Sequence, residues 1–243
     1  MTRDLRFIPN MKSSKELTTA LNERISNNLG AWIVTVNVDI HRQLSKDLTD
    51  RLGSVIENEA LTTADGFPIR LLAQYLRGIP YERVAGSEYV LDLAKVSVDR
   101  NLPLIVAGGK TGDANRVAVH LRSLFANIEV RPIELPFGDS KSLTRELRQQ
   151  IDPRTFIMLL GVGALKQEEV ILELRKHYPK SIYMGCGAGI SYLAGSLARA
   201  PKIFSKLNLE WLWRIAVEPK RLFKRYILQD LPYLIRLVAS VLR

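Results

Sequence analysis

Asp65 is the carboxylate whose setting in the sequence best suits chemistry. It stands in Thr63-Ala-Asp-Gly66, after an apolar stretch and before a helix opened by Pro68. A carboxylate in such a loop can act as a general base that takes a proton from a substrate hydroxyl. Asp-Gly is also a common turn pair and aspartate a common helix cap, so residue type alone favours a structural role.

Loops rich in glycine and polar residues form a second group that could do chemistry. These segments are Thr35-Val-Asn37, Gly108-Gly-Lys-Thr-Gly112, Gly161-Val-Gly-Ala-Leu-Lys-Gln167 and Gly185-Cys-Gly-Ala-Gly189. Glycine after a strand lets backbone N–H groups approach a phosphate closely. Each loop taken alone is equally well explained as an ordinary connection between a strand and a helix. Three glycine loops in one chain favour a nucleotide or diphosphate ligand.

Two phosphate-binding signatures are absent from these loops. The P-loop pattern ending at Gly109-Lys110 would need glycine at position 104, which is Leu104. The dinucleotide pattern GxGxxG meets Lys166 when started at Gly161, and it meets Ile190 when started at Gly185. We therefore expect neither a P-loop nor a nicotinamide enzyme, and no cofactor.

Metal chemistry finds no support in the residue spacing. His41, His120 and His177 share no motif, and no HExxH, CxxC or Asp-x-Asp pattern occurs. We expect no metal site. The single cysteine, Cys186, excludes an intrachain disulfide and suits a reducing compartment. The N-terminus has no signal-peptide hydrophobic region, which indicates a cytoplasmic protein.

The elements that must position these residues alternate between strands and helices. Strands are predicted at Trp32–Val38, Leu104–Ala107, Ile128–Ile133, Thr155–Leu160 and Ser181–Met184, and helices at Leu44–Leu61, Pro68–Arg77, Asp113–Phe125, Ser140–Gln150 and Gln167–His177. Apolar strands between amphipathic helices are typical of a parallel sheet covered on both faces. The predicted fold is α/β, a Rossmann-like open parallel sheet, whose ligand would lie beyond the carboxyl ends of the strands.

The C-terminal tail carries most of the positive charge. From Arg199 to Arg243 there are ten Lys/Arg against three Asp/Glu, while the whole chain of 243 residues has a net charge of +10. Such a basic, aromatic-rich segment points to a membrane surface, a diphosphate or nucleic acid. No nucleic-acid recognition motif occurs, so we expect no nucleic-acid partner.

The apolar end of the tail is too short to cross a membrane. Leu231–Leu242 is interrupted by Pro232 and Arg236, whereas a spanning helix needs about 20 apolar residues. Upstream, two basic i, i+4 pairs lie opposite an apolar side, which suits an interfacial helix; the basic residues are Lys220, Arg221, Lys224 and Arg225. A core-packing helix with a solvated basic face explains the spacing about equally well.

Several motifs together resemble the WecG/TagA/CpsF family of bacterial glycosyltransferases. They are Val34-Thr-Val-Asn37, Ala64-Asp-Gly-Phe-Pro68, Glu82-Arg-Val-Ala-Gly-Ser87, Gly108-Gly-Lys110, Gly161-Val-Gly163 with Lys166-Gln-Glu168, Leu193-Ala-Gly195, Arg199-Ala-Pro-Lys202, and Leu209-Glu-Trp-Leu-Trp-Arg214 with Glu218-Pro-Lys-Arg221. Each motif alone is weak. Their number and order make the resemblance specific from the first strand to the tail.

The resemblance implies an inverting, metal-independent transfer from a UDP-sugar to a polyprenyl-diphosphate-linked saccharide in cell-surface polysaccharide synthesis. By position Asp65 is similar to the family's general base, with Thr35 beside it in the catalytic site. The resemblance implies that the substrate-binding residues are Asn37, Arg83, Gly108, Gly109, Lys110, Gly161, Gly163, Gln167 and Ser191. It also assigns the departing diphosphate and membrane contact to the tail, at Arg214, Lys220, Arg221, Lys224 and Arg225.

The resemblance further implies a catalytic domain, 1–200, and a membrane-associating appendage, 201–243, that completes the active site. The protein would then lie peripherally on the cytoplasmic face of the bacterial membrane, and self-association is left open. Alternatively, the chain is a non-catalytic UDP-sugar-binding or scaffold protein of the same fold.

Three departures from the family pattern concern the substrate loops. Leu165 stands where the family has proline, a change expected mainly to alter loop stiffness. The segment Glu134-Leu-Pro-Phe-Gly138 and Ser191 replace residues expected near the donor. The resemblance therefore leaves the donor open between an N-acetylmannosamine type and glucose.

Overall fold

The computed structural model describes residues 7–46, 51–201, 203–204 and 209–242, and the side chains of residues 46, 51 and 221 lie outside this description. Six strands form one sheet: β1 (Ala31–Val36), β2 (Leu61–Ala64), β3 (Leu104–Gly108), β4 (Val130–Ile133), β5 (Ile157–Gly161) and β6 (Ile182–Gly185). Every neighbouring pair is parallel, and the strand order is β2-β1-β6-β5-β3-β4.

Helices connect the strands and complete the described fold. Those of the sheet region are α1 (Ser14–Ser26), α2 (Val38–Lys46), α3 (Arg51–Glu59), α4 (Phe67–Arg77), α5 (Gly86–Asp99), α6 (Asp113–Leu124), α7 (Ser140–Gln150), α8 (Lys166–His177) and α9 (Gly189–Leu193). The tail contains α10 (Glu210–Val217), α11 (Pro219–Phe223), a π-helical segment (Lys224–Asp230) and α12 (Leu231–Val241).

Both faces of the sheet are covered by helices, as the sequence predicted. Along β5, Ile157 and Leu159 join the apolar cluster that contains α1, α5 and α6, whereas Met158 and Leu160 join the one that contains α2, α3, α4, α7 and α8. Alternate side chains of a strand point to opposite faces, and here both faces are apolar. The Rossmann-like α/β fold is confirmed.

The segment between β1 and Asp65 differs from the prediction. The single helix expected at Leu44–Leu61 is instead α2, α3 and the short strand β2, with residues 47–50 outside the described part. The strand expected to reach Val38 ends at Val36, because the Asn37 side chain accepts a hydrogen bond from the Ile40 N–H (3.0 Å) and caps α2.

The tail packs against the sheet domain along α12. Tyr233 and Leu237 of α12 form a small apolar cluster with Leu72 of α4, and Val38 packs against it. The Tyr233 hydroxyl lies 2.7 Å from His41 Nδ1 and 2.9 Å from Ser45 Oγ, both on α2. These contacts hold one face of the tail on the core, while the division at residue 200 stays a prediction.

Within the described residues, no helix is both long and apolar enough to pass through a bilayer.

Candidate functional site

A polar cleft of about 250 Å³ opens at the carboxyl ends of β1, β2, β5 and β6. Its floor comes from the loops after these strands, and tail residues Glu210, Arg214 and Arg225 line it as well. In an open parallel sheet, ligands bind in the crevice at this edge. The cleft is therefore the candidate site, and the tail is part of its wall.

Asp65 follows β2 and lines the cleft. Its backbone N–H donates to the Val36 carbonyl (2.8 Å), and Gly66 adopts φ +106° as the chain turns into α4. Burial raises the pKa of Asp65 to about 6, against the lowering effect of the positive charges of Arg83 and Arg214. A carboxylate with this pKa is ionised at neutral pH and is a better proton acceptor than an ordinary aspartate.

Arg83 is held between two glutamates that also line the cleft. Its guanidinium lies 2.7 Å from Glu88 Oε1 on α5 and 3.3 Å from Glu210 Oε2 on α10. All three side chains are partly exposed, so the ion pairs orient the guanidinium more than they stabilise the fold. The Glu210 contact also connects the tail with the loop that carries Arg83.

Arg214 places its guanidinium 5.6 Å from the centre of the Tyr192 ring. Its Nε is buried and has no hydrogen-bond partner among the described residues. A buried donor without a partner is rare in proteins and is costly to the fold. Arg214 thus lines the cleft and carries an N–H that no described residue accepts.

Arg225 belongs to a group of charges shared by the tail and α2. Its Nη1 lies 3.6 Å from Asp39 Oδ2 and its Nε 3.7 Å from Asp230 Oδ2, while Arg42 contacts the same two aspartates at 2.6 and 3.0 Å. The Arg225 Nε is also buried and has no hydrogen bond to the described residues. Arg225 is thus anchored at the cleft wall by ion pairs with Asp39 and Asp230.

Three further predicted residues line the cleft: Thr35, Asn37 and Gln167. Thr35, the last residue but one of β1, lies opposite Thr63, and a Cβ at Gly86 would lie 2.9 Å from the Thr35 hydroxyl. Gln167 is almost fully buried; its side-chain oxygen accepts from the Gly187 N–H (3.0 Å) and its Nε2 donates to Glu168 (2.9 Å). Gln167 therefore fixes the loop after β6 that forms the cleft floor.

Gly163 also lines the cleft, with φ +101° and open space where a Cβ would be. Two residues further along the same loop, Leu165 adopts φ +60°. Proline is restricted to φ near −65°, so it cannot take this conformation. Leucine in place of the family's proline at position 165 therefore alters which backbone conformations the loop can adopt. This effect goes beyond the change in loop stiffness expected from the sequence.

The remaining predicted binding glycines do not line the cleft. Gly108 ends β3, and Gly109 and Lys110 follow it; this strand lies one position beyond β5 from the cleft. Gly161 is packed under Ile190 and Gly187. A Cβ on Gly109 would lie 2.7 Å from Asp113. Close packing accounts for these glycines, and their part in substrate binding stays a prediction.

Ser191 and Lys110 instead contact a buried aspartate, Asp113. The Ser191 hydroxyl donates to Asp113 Oδ2 at 2.5 Å, and the Lys110 N–H donates to the same oxygen at 2.8 Å. Burial favours the neutral form of Asp113, but these bonds, with others from Ser196 and Arg116, hold its pKa at about 2. This network joins the β3 loop to α9 beside the cleft.

The predicted basic residues of the tail separate into two groups. Arg214 and Arg225 line the cleft, whereas Lys220 and Lys224 are exposed and lie outside its wall. The Arg221 side chain is outside the described part of the structure.

Several cleft residues were not predicted from the sequence: Asp39, Glu88, Tyr192, Arg199 and Glu210. Arg199 and Glu210 belong to motifs quoted above, which was a usable signal. Asp39 forms no Asp-x-Asp pair and so carries no motif signal, although it lies in the first turn of α2. No group of three potential metal-binding side chains gathers among the described residues, and the expectation of no metal stays a prediction.

The fold and cleft define an α/β protein of Rossmann type with a polar site at the carboxyl edge of its sheet. The model of the glycosyl transferase WecG/TagA/CpsF family matches residues 7–243, which is nearly the whole chain. The chain belongs to this family of glycosyltransferases.

Proposed function

We propose that the protein transfers a sugar from a UDP-sugar to a polyprenyl-diphosphate-linked saccharide, with inversion and without a metal ion. The observation that carries the proposal is the presence, in one cleft, of Asp65 and two arginines, Arg214 and Arg225, whose Nε donors make no hydrogen bond to the described residues. A base and a diphosphate clamp are the two parts that such a transfer needs.

In the proposed reaction Asp65 accepts the proton of the acceptor hydroxyl as its oxygen attacks the anomeric carbon of the donor. The bond from that carbon to the diphosphate oxygen breaks, and the charge develops on the diphosphate of UDP. Arg214 and Arg225 donate hydrogen bonds to these oxygens, and a guanidinium can neutralise a diphosphate without a metal. In this proposal Arg83, which pairs with Glu88 and Glu210, binds the sugar hydroxyls.

The donor is proposed to carry glucose or an N-acetylmannosamine-type sugar, and the acceptor to reside in the bacterial cell membrane. Exposed apolar residues of the tail, including Leu228, Ile235 and Leu242, support peripheral attachment to the cytoplasmic face. The family to which the chain belongs supports the proposed role in cell-surface polysaccharide synthesis.

The test is turnover of UDP-glucose and UDP-N-acetylmannosamine with a short-chain polyprenyl-diphosphate saccharide, with and without a chelator. Asp65→Ala should lower kcat by about two to four orders of magnitude. The matched control is Asp99→Ala at the exposed end of α5. NMR of the product reports the anomeric configuration.

Full activity of Asp65→Ala would refute the role of Asp65. Binding of UDP without consumption of either donor would instead favour the non-catalytic UDP-sugar-binding alternative.

A further inference from the structure

Helix α4, which follows Asp65 directly, presents an apolar row to solvent. Phe67, Leu71 and Tyr75 repeat at four-residue spacing and lie on one side of the helix. All three are exposed, Tyr75 by 64%, and Ile79 just beyond the helix is exposed as well. Single exposed apolar residues need no explanation, but an ordered row of this kind does.

The α4 row borders the contact with the tail. The residues next to it, Leu72 and Leu76, pack against Tyr233 and Leu237 of α12. The outer side of α12 carries a second exposed apolar row, formed by Leu231, Ile235 and Val238, and Leu242 continues it directly after the helix. Two exposed apolar rows therefore lie beside the contact between α4 and α12, one row from the sheet domain and one from the tail.

The charged residues of α4 and α12 themselves are all basic. Helix α4 contains Arg70 and Arg77 and no acidic residue, and α12 contains Arg236 and none either. On the segment before α12, Lys220 and Lys224 are exposed, whereas Asp230 is buried and paired with Arg42. Apolar rows bordered by cations fit the interface of an anionic bilayer, and a tyrosine suits its headgroup level.

We infer that α4 and α12 form one two-helix surface that docks on anionic lipid, so that the sheet domain itself contacts the membrane. This inference rests on the peripheral attachment in the proposed function and extends it beyond the tail. Phe67 lies two residues after Asp65 in the chain. Docking through α4 brings the cleft to the height of the lipid headgroups, where a membrane-anchored diphosphate acceptor is found.

The test compares two double variants of the full chain in flotation with vesicles of phosphatidylglycerol and phosphatidylcholine. Leu71→Gln/Tyr75→Gln should lower the partition coefficient by more than about tenfold, because two apolar side chains no longer enter the interface. The matched control, Val119→Gln/Leu124→Gln, changes two exposed residues of α6 on the other face of the sheet and should bind as wild type does. Tyr75→Trp should bind more tightly.

The inference is overturned if Leu71→Gln/Tyr75→Gln binds the vesicles as well as the control does. It is also overturned if light scattering shows that this variant alters self-association in solution while vesicle binding is unchanged, because the row would then be a contact between two copies of the chain. Circular dichroism of both variants verifies that they are folded.

Transfer to a water-soluble acceptor separates this inference from the proposed function. Leu71→Gln/Tyr75→Gln should keep full activity on the soluble acceptor and lose it on a vesicle-embedded one. If the wild type binds vesicles through α4 but transfers no sugar to either acceptor, the proposed function fails and the docking surface stands. If it transfers sugar and the α4 variant behaves as wild type on vesicles, the docking surface fails alone.

Discussion

Arg42 of α2 and Asp230 of the tail form an ion pair, with Arg42 Nε 3.0 Å from Asp230 Oδ1 and both side chains almost fully buried. Arg42 also contacts Asp39 at 2.6 Å, and Arg225 lies close to both aspartates. The π-helical segment makes this possible, because Arg225 and Asp230 are five residues apart and would point about 140° apart on an α-helix. The position of Arg225 at the cleft thus depends on a local change of helix type.

Arg42→Ala should destabilise the protein by about 3–5 kcal/mol, since it leaves Asp39 and Asp230 with less compensation in a buried site. The free energy of unfolding in urea measures this. The matched control is Arg154→Ala, whose pairs with Glu129 and Asp152 are nearly half exposed and should contribute at most about 1 kcal/mol. Equal losses in both variants would contradict the structural role of the buried group.

The pH dependence of kcat/KM should report the pKa of Asp65. Because the base must be ionised, kcat/KM should rise with pH with a midpoint at about 6. An aspartate with an ordinary pKa would give a midpoint about two units lower. Glu88→Gln removes a negative charge that raises this pKa, so it should shift the midpoint to lower pH. A midpoint near 4 in the wild type would contradict the burial of Asp65.

Asp65→Asn should stabilise the folded protein above pH 6 while abolishing transfer. The folded pKa of Asp65 is raised above its unfolded value of 3.8, so its contribution to stability is present below pH 4 and is lost as the pH rises to about 6. The loss is at most about 3 kcal/mol, and less to the extent that water in the cleft screens the charge. Thermal unfolding of wild type and Asp65→Asn at pH 4 and pH 8 measures the difference, which should appear only at pH 8.

Helices and buried strands with a local signal were predictable from the sequence. Ser140–Gln150 was predicted with its observed bounds, since its apolar residues repeat at helical spacing. The strand β2 was missed because Leu61-Thr-Thr-Ala64 is only four residues long and is buried on both faces, so it has neither length nor alternation. Such a strand is recognisable only from its neighbour β1.

The composition of the cleft was predictable only in part, because it depends on strand order. The loops after β3 and β5 look alike in sequence, yet Gly163 lines the cleft and Lys110 does not, since β3 lies beyond β5. The place of Asp39 and Glu210 depends on how the tail packs on α2 and on the Arg83 loop. Contacts between segments so distant in the chain leave no periodic signal in either segment.

Leu165 offers a test of the cleft loop that does not depend on activity. A non-glycine residue at φ +60° carries strain of about 1 kcal/mol or more. Leu165→Gly relieves this strain and should be more stable than Leu165→Ala by roughly this amount. Both variants lose the packing of the leucine side chain, so the comparison isolates the backbone effect. Leu165→Pro should be the least stable of the three, because proline cannot adopt this φ. A proline variant as stable as Leu165→Ala would show that the loop adopts another conformation.

Removal of residues 202–243 should abolish transfer and also increase self-association. The truncation takes Arg214 and Arg225 from the cleft, and it uncovers Leu72 and Val38, which α12 covers in the full chain. Newly exposed apolar surface favours association between copies. Light scattering of the truncated and full-length proteins measures their mass. The control is Tyr233→Phe, which keeps α12 packed over α4 and α2 but removes the hydroxyl contacts to His41 and Ser45. A monomeric truncated protein with undiminished transfer would refute both the covering of α4 by the tail and the part of its arginines in the reaction.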